Sequence, residues 1–474
     1  MVFSSLIFLF GFLALHLLVY RLAKKPRTQN LVLLVSSLVF YAWGGPAYIL
    51  LLMFETLASW FFGVLIQTSK SRREAKRYLV LECLVLLGLL AYYKYTGFLL
   101  GTTHALFGVP AEVVAPVLPI GISFYTFKLL SYVADVYRGE VQAEYSYWRL
   151  LLYSSLFHHC IAGPIVRYKT VRDELAQRSV TREDVYEGFR RFCVGLAKKA
   201  ILATACSTAV DTLLPTGTPD IYTQVTGGYW LGALFYFFQI YLDFSGYSDM
   251  ALGLGRMVGF HYLENFDHPY EAISVQDFWR RWHISLSSFF RDYVYIPLGG
   301  SRCSTLQYVR NMFVVWFLTG MWHGASWNFI LWGLYFFCFL LLEKFVIKKR
   351  MPRAIGHVYA MVVVFFSWVF FKFVDFGEMG GVFAGLFDAN GAGFMNLAVQ
   401  TVFMKNVFLI VICAVACTSL GSWLRGKLRT AADKGGLARF VYNVQETLVP
   451  PVLLALSVVA LVGVTYSPFI YFQF

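Results

Sequence analysis

Apolar runs long enough to cross a bilayer recur along nearly the whole chain, separated by short polar or basic loops. A helix needs about 20 apolar residues to cross about 30 Å of hydrocarbon. On that measure the pattern predicts spans at 3–20, 30–45, 47–67, 78–100, 112–134, 146–162, 190–213, 223–245, 309–325, 327–346, 356–374, 404–423 and 447–466. Some of these are expected to be half-helices or re-entrant segments. The expected fold is therefore an all-α polytopic membrane protein with roughly 11–13 transmembrane or re-entrant helices.

The hydrophobicity is uneven. Residues 1–110 read as conventional spans, whereas residues 115–330 interleave apolar segments with polar residues and broken helices. Ordinary spans resume over 347–474, with basic loops at "KKRMPR" and "RGKLRTAADK". No Pro-, Ser- or Gly-rich linker divides the chain, so residues 1–474 are expected to form a single membrane domain. Ionisable groups at membrane depth are costly and usually line a cavity, which places the expected site in the middle third. Residues 164–190 are too charged to span and predict an interfacial helix, with Thr181 as N-cap and Asp184 three residues later.

Composition agrees with this picture. The chain is 58% hydrophobic and 14% charged, against about 45–50% and about 25% in soluble domains. Arg21, Lys24, Lys25 and Arg27 follow the first span rather than preceding it, and no small-residue cleavage site follows, so it is not read as a removable signal peptide. The positive-inside rule puts this cluster, and Lys70 to Arg77 in "KSRREAKR", on the cytoplasmic side. The arginines of 164–190 predict the same side, which requires an even number of crossings between that loop and the early ones. The net charge of +13 is then positive-inside bias toward a lipid bilayer rather than a nucleic-acid surface, since it is scattered over many short loops. The eight cysteines show no metal-ligand spacing, and Cys413 and Cys417 lie one turn apart in an apolar helix; no metal site is expected.

Candidate chemistry concentrates in a few stretches. "FLTGMWHGASWNFILWG" (317–333) sets His323 deep in an apolar run, followed by Gly324, Ala325 and Ser326, which permit close approach, with Trp322 and Trp327 available to wall a pocket. An imidazole, with an ordinary pKa of about 6.5, suits removal of a hydroxyl proton near neutral pH. In "NFDHPYEAISVQDFWRRWHISLSSFFRDYVYIPLGGSR" (265–302), a helix read from Ser274 puts Phe278, Trp282 and Leu286 on one face. Such a helix brings His283 and its arginines toward a cavity. Each histidine can equally be one satisfied by a carbonyl or carboxylate in a packed interior.

"YLDFSGYSDMALGLGRMVGF" (241–260) groups Asp243, Ser245, Tyr247, Ser248 and Asp249 near glycines, but no glycine stands two positions before Ser245, which argues against a hydrolase elbow. Gly253, Gly255 and Gly259 read as helix-packing positions. In "LPIGISFYTFKLLSYVADVYRG" (118–139), Lys128 and Asp135 share a helical face, which predicts either a cavity-lining pair or a snorkelling lysine. His158 and His159 precede Gly163 and Pro164, which should end a helix at the membrane edge.

Taken together, "WRRWHISLSSFFRDYVYIPLGG", "MWHGASWNFILWG", "DFSGYSDMALGLG", "LPIGISFYTFKLLSYVADVYRG", "HHCIAGPIVRY", the opening "MVFSSLIFLF" and the ending "YSPFIYFQF" resemble the membrane-bound O-acyltransferase family. The similarity is greatest to its bacterial branch containing the membrane subunit of alginate O-acetylation. The resemblance implies helices around a central channel, with His323 as the essential catalytic residue and His283 as its polar partner across that channel. It implies no permanently bound cofactor and a cytoplasmic thioester donor, usually acyl-coenzyme A, here acetyl-coenzyme A or another acyl thioester. It also implies a bacterial cytoplasmic membrane and an extracytoplasmic acetyltransferase partner with a serine hydrolase-like (SGNH) fold, which places acetyl groups on a polysaccharide acceptor. Oxyanion donors could come from His283, Trp282 or a helix N-terminus. For the donor's phosphates the candidates are Arg280, Arg281, Arg291 and Arg302, which could equally anchor an interfacial helix. Trp322, Asp243 and Tyr247 complete the candidate set. D-alanyl transfer to teichoic acid from a carrier protein is the alternative within the family; a non-catalytic transporter is the alternative outside it.

Overall fold

The computed structural model describes residues 1–108, 114–348 and 351–463, and every regular element among them is a helix. The first four helices are α1 (Ile7–Leu22), α2 (Pro26–Ala42), α3 (Tyr48–Thr68) and α4 (Arg72–Phe107). Their starts follow local chemistry. Pro26 opens α2, where a missing N–H leaves nothing unsatisfied, and the Ser71 hydroxyl caps α4 by accepting from the Glu74 amide.

The middle third contains α5 (Ile122–Arg138), α6 (Tyr147–Ser155), α7 (Tyr168–Ala176), α8 (Arg182–Leu213) and α9 (Thr226–Met257). It continues through α10 (Val275–Arg281), α11 (Ile284–Phe290) and α12 (Thr305–His323). After these come α13 (Trp327–Ile347), α14 (Arg353–Lys372), α15 (Phe376–Leu386), α16 (Leu397–Ala416), α17 (Leu420–Ala432) and α18 (Gly436–Val462). Among the described residues, α3, α4, α8, α13, α14, α16 and α18 are long and apolar enough to cross a membrane. The chain is a multi-pass, all-α membrane protein.

Several spans differ from the pattern-based expectation. The predicted span at 146–162 holds only α6, nine residues long, or about 14 Å at the helical rise, too short to cross. The chain dips in and returns to the same face: Arg138 before it donates to the Asp292 carbonyl, and Arg167 after it pairs with the Asp292 carboxylate. That face also gathers the early basic loops. Arg72 donates to the Tyr137 carbonyl, and Arg178 reaches the Tyr20 hydroxyl and the Asn30 amide oxygen. The short dip thus lets residues 164–190 share a side with residues 21–27 and 70–77. The Thr181–Asp184 capping box is present as expected.

The predicted 112–134 span begins only at Ile122, after irregular residues 114–119, and its first two residues lie outside the described ones. The predicted 404–423 span breaks at 417–419, between α16 and α17. The last span starts earlier, at Gly436, and carries Pro450 and Pro451 within it. The ending "YSPFIYFQF" and two residues of the "KKRMPR" loop lie outside the described residues.

The predicted 223–245 span is longer than expected: α9 continues to Met257 through the polar run "DFSGYSDMALGLG", almost wholly buried. Packing against α8 makes this possible. A Cβ on Gly253 would stand 2.5 Å from the Gly188 carbonyl oxygen, and one on Gly195 2.5 Å from that of Gly246, so the two backbones touch. Gly255 instead makes room for the Tyr262 ring, and Gly259, with φ +86°, turns the chain after the helix rather than packing within it. Where α8 loosens into a π-helical turn at Lys198–Ala203, Lys199 forms a buried ion pair with Asp243 of α9.

Candidate active site

His283 stands at a break, not on a continuous helical face. The Ser274 hydroxyl caps α10 by accepting from the Asp277 amide, and the Glu343 carboxylate of α13 accepts from the Val275 and Gln276 amides. The helix then stops at Trp282, and His283 adopts a left-handed conformation, φ 44°, before α11 begins. A non-glycine residue held there is costly and needs support from its surroundings. Asn265 supplies that support: its carbonyl accepts from the Ile284 amide at 2.9 Å, and its side-chain oxygen accepts from the Ser285 amide at 3.1 Å and the Ser285 hydroxyl at 2.8 Å.

These contacts fix the histidine's tautomer. A backbone N–H can only donate, so the Asn265 side-chain atom facing Ser285 is Oδ1; its Nδ2 donates to Ser248 at 3.2 Å. The same Oδ1 lies 3.3 Å from His283 Nδ1, and the Ser285 hydroxyl, which spends its proton on Oδ1, lies 3.4 Å from it; both neighbours then face Nδ1 as acceptors, so Nδ1 carries the proton. Nε2 is left as a bare acceptor, buried and with no hydrogen bond among the described residues.

His323 is the last residue of α12, where the helix meets its antiparallel neighbour α13. The two approach closely through Gly320 and Gly333. A Cβ on Gly333 would lie 2.3 Å from the Trp316 carbonyl oxygen, and one on Gly320 2.4 Å from that of Phe329. Gly324 gives its space to the Phe329 ring, so this glycine serves packing. The imidazole is buried in an aromatic cage, with centroids at 5.1 Å from Trp322, 4.8 Å from Trp332 and 5.4 Å from Phe371. Trp327 is not part of it; half-exposed, it packs on Phe98. Two carbonyls at the end of α12 are capped from α4: Lys94 donates to that of Trp322, and the Tyr95 hydroxyl to that of Met321 at 2.7 Å.

Trp322 joins the two histidines. Its ring centroid is 5.7 Å from that of His283 and 5.1 Å from that of His323, so both imidazoles stand edge-on to one indole. The same indole ends a cavity of about 600 Å³ between α4, α5 and the α11–α12 region. A second cavity, about 440 Å³, lies between α10, α11 and α12, lined by Arg280, Arg291, Ser287, Ser288 and Thr319. Arg281 points elsewhere, bonded to Asp277 and to the Asp267 carbonyl. Arg302 is exposed in the turn before α12 and lines neither cavity. Only two of the four candidate arginines therefore come together.

Other candidates sit in the packing around the site. Trp282 is fully buried against Trp368 at 4.9 Å, Phe266 at 5.0 Å and Phe278 at 5.4 Å. Asp243 is committed to Lys199, and Tyr247 stacks on Phe3 at 4.7 Å. Lys128 and Asp135 do not pair: Lys128 is buried, donating to the Ser154 carbonyl and 3.1 Å from His159 Nδ1, while Asp135 accepts from Tyr293. His158 and His159 are fully buried, beyond the end of α6 at Ser155, and His158 bonds to Tyr262. Among the described residues no three His, Cys, Asp or Glu side chains converge to hold a metal ion; Cys413 instead meets Cys206 of α8, sulfur to sulfur at 3.6 Å. Asn265, Trp332 and Lys94 belong to the site's framework without having been expected. Of these only Lys94, a lysine inside an apolar span, gave a sequence signal.

Comparison with known proteins bears directly on this region. The model of MBOAT, the membrane-bound O-acyltransferase family, matches residues 67–374, which include both histidines and every helix around them. The chain is 37% identical to the probable alginate O-acetylase AlgI of Azotobacter vinelandii, over 100% of both chains. It is 36% identical to the probable alginate O-acetylase AlgI of Pseudomonas aeruginosa, again over 100% of both. A peptidoglycan O-acetyltransferase of Helicobacter pylori is 30% identical over 84% of this chain and 82% of its own. The chain belongs to the membrane-bound O-acyltransferase family and is an O-acyltransferase.

Proposed function

We propose that this enzyme, folded as one membrane domain in a bacterial cytoplasmic membrane, takes acetyl groups from a cytoplasmic thioester and delivers them for O-acetylation of an exopolysaccharide such as alginate. Acetyl-coenzyme A is the proposed donor. The acceptor polysaccharide is reached through an extracytoplasmic partner of SGNH-hydrolase type. Full-length similarity to two probable alginate O-acetylases supports the acetyl group and the polymer class. The observation that carries the reading is the pair of buried imidazoles flanking one indole, one of them at a break between two helices and the other in an aromatic cage.

In this reading His323 takes the proton of the attacking hydroxyl as its oxygen forms a bond to the thioester carbonyl carbon. The carbon–sulfur bond breaks, and the proton passes to the departing thiolate, so the imidazole ends neutral. His283, acting through Nε2, lies opposite and holds or relays the proton; its tautomer leaves that nitrogen able to accept. Trp322 sets the separation of the two rings. Arg280 and Arg291 are the proposed contacts for the donor's phosphates, because forked guanidinium groups match phosphate oxygens and share a cavity with three hydroxyls.

The test is acetyl transfer from radiolabelled acetyl-coenzyme A by the purified protein in lipid, with its partner and a polysaccharide acceptor, comparing wild type with His323→Ala and His283→Ala. Label should reach the acceptor with wild type and fail to do so with folded His323→Ala. Equal transfer by His323→Ala removes that histidine from the mechanism. Label that crosses the membrane attached to no acceptor returns the reading to a transporter, and transfer of D-alanine in place of acetyl returns it to the teichoic acid branch.

A further inference from the structure

Along α4, two cavities of opposite character meet. One, about 390 Å³, is polar and lined by Gln67, Lys70, Arg72, Arg138 and Gln142 among others. The second is the 600 Å³ cavity that ends at Trp322, and its lining is almost wholly apolar. Arg72, Tyr137 and Arg138 line both, so the cationic end of the apolar cavity adjoins the polar one. On α4 the apolar lining is a single stripe, Leu79, Cys83, Leu87 and Leu90, at helical three- and four-residue spacing. From Arg72 to Leu90 the helix rises about 27 Å, most of the thickness of the hydrocarbon layer.

An acetyl group needs nothing of this length. A pantetheine arm would bring amides into an apolar channel and leave them without partners, which is costly. The occupant that matches is an amphiphile with an anionic head and a hydrocarbon tail. We propose that this pair of cavities binds one anionic membrane phospholipid, its phosphate between Arg72 and Arg138 with Lys70 beside it, and one acyl chain laid along α4 toward Trp322.

The charges favour it. Arg72 spends one N–H on the Tyr137 carbonyl at 2.9 Å and lies over the Tyr137 ring at 4.1 Å. Arg138 spends one on the Asp292 carbonyl at 2.8 Å. A guanidinium has five donors, so both retain donors for phosphate oxygens. The nearby carboxylates are already engaged: Glu140 with Lys169 and Arg138, and Glu74 with the Lys70 amide and the Tyr78 hydroxyl. This end carries the basic "KSRREAKR" loop, which the positive-inside rule places at the cytoplasmic leaflet, where anionic lipids concentrate.

The site is tested on the full-length protein, delipidated and re-exposed to bilayer discs holding equal amounts of phosphatidylglycerol and phosphatidylcholine, with retained lipid counted by native mass spectrometry. Wild type should retain phosphatidylglycerol about tenfold over phosphatidylcholine, and Arg72→Gln with Arg138→Gln should bring the two close to parity. Ala134→Phe, which fills the apolar cavity without touching the charges, should lower retention of both lipids. Size-exclusion profiles and melting temperatures report whether each variant is folded. Should the arginine variant fail to fold, the wild-type preference and Ala134→Phe still decide the matter. Equal retention of the two lipids by wild type, or undiminished phosphatidylglycerol on the folded arginine variant, overturns the proposal. Displacement of the lipid by excess acetyl-coenzyme A also overturns it and assigns the cavity to the donor.

Discussion

Asn265 offers the sharpest test of how the site is built, because it contacts His283 without standing among the candidate catalytic groups. Asn265→Ala removes the acceptor of the His283 Nδ1 proton, the acceptor of the Ser285 amide and the donor to Ser248. Each buried group stranded in this way costs about 1–3 kcal/mol. With the backbone bond from Ile284 to the Asn265 carbonyl retained, the two donors left without an acceptor, His283 Nδ1–H and the Ser285 amide, predict destabilisation of about 2–6 kcal/mol. The consequence for rate is separate. Once Oδ1 is gone, nothing keeps the proton on Nδ1, and Nε2 is no longer held as the acceptor. Loss of one such interaction at the reacting histidine predicts a fall of about ten- to hundredfold in kcat. Asn265→Asp keeps an oxygen facing both Nδ1 and the Ser285 amide, and Ser248 can donate in turn, so it should retain more activity than the alanine variant. The assay is acetyl transfer from labelled acetyl-coenzyme A at saturating donor, with melting temperature recorded in parallel. Wild-type kcat in folded Asn265→Ala, or less activity in Asp than in Ala, would refute the tautomer argument.

Four further outcomes follow from the packing. Gly333→Ala drives a methyl against the Trp316 carbonyl 2.3 Å away and should separate α12 from α13, costing about 1–3 kcal/mol of stability with loss of transfer, read by thermal unfolding and assay together. Glu343→Ala strips the carboxylate from two amides at the start of α10, a loss of about 1–3 kcal/mol that Glu343→Gln, with one remaining acceptor oxygen, should halve. Lys199→Met leaves the Asp243 carboxylate buried without its ammonium, for about 3–5 kcal/mol, and adding Asp243→Leu should recover most of that in denaturation curves. Hydrogen bonding to Glu174 and Asp184 holds the His261 imidazole above its ordinary pKa. A raised pKa contributes stability that is complete below the ordinary value near 6.5 and is lost as pH rises through the folded value. His261→Gln should therefore lower the melting temperature at pH 5.5 and leave it unchanged at pH 9.

Where one helix crosses the membrane by itself, hydropathy locates it, because every backbone group must be satisfied within that helix and the side chains face lipid. This holds for α3, α4, α13 and α14, and less well for α8, α16 and α18, whose starts move by two turns or so. It fails for α6 and α9, in opposite directions. At 146–162 the residues are apolar because protein, not lipid, surrounds them, so hydropathy counted a full crossing where nine residues of helix suffice. In α9 the polar residues imitate a break, but their partners come from α8: Asp243 with Lys199, and Asp249 with Arg191 and Lys198. A hydropathy window sees the polar side chain and not the distant cation that satisfies it.

The site divides in the same way. His323 was legible because an imidazole in an apolar run needs an explanation, and Trp322 because it adjoins it. His283 was legible as a residue but not as a conformation. The run from Ser274 to Phe290, which holds neither glycine nor proline, gives no local sign that the chain turns left-handed at φ 44°. The sign lies eighteen residues upstream, in Asn265, whose carbonyl takes the first amide of α11 and whose side chain takes the second. Those two bonds stand in for the helical ones that a break sacrifices. The break in turn aims the imidazole at the indole that His323 shares. Continuing the helix through residue 283 would satisfy the backbone and lose the aim, which is why the support for this histidine must come from outside its own segment.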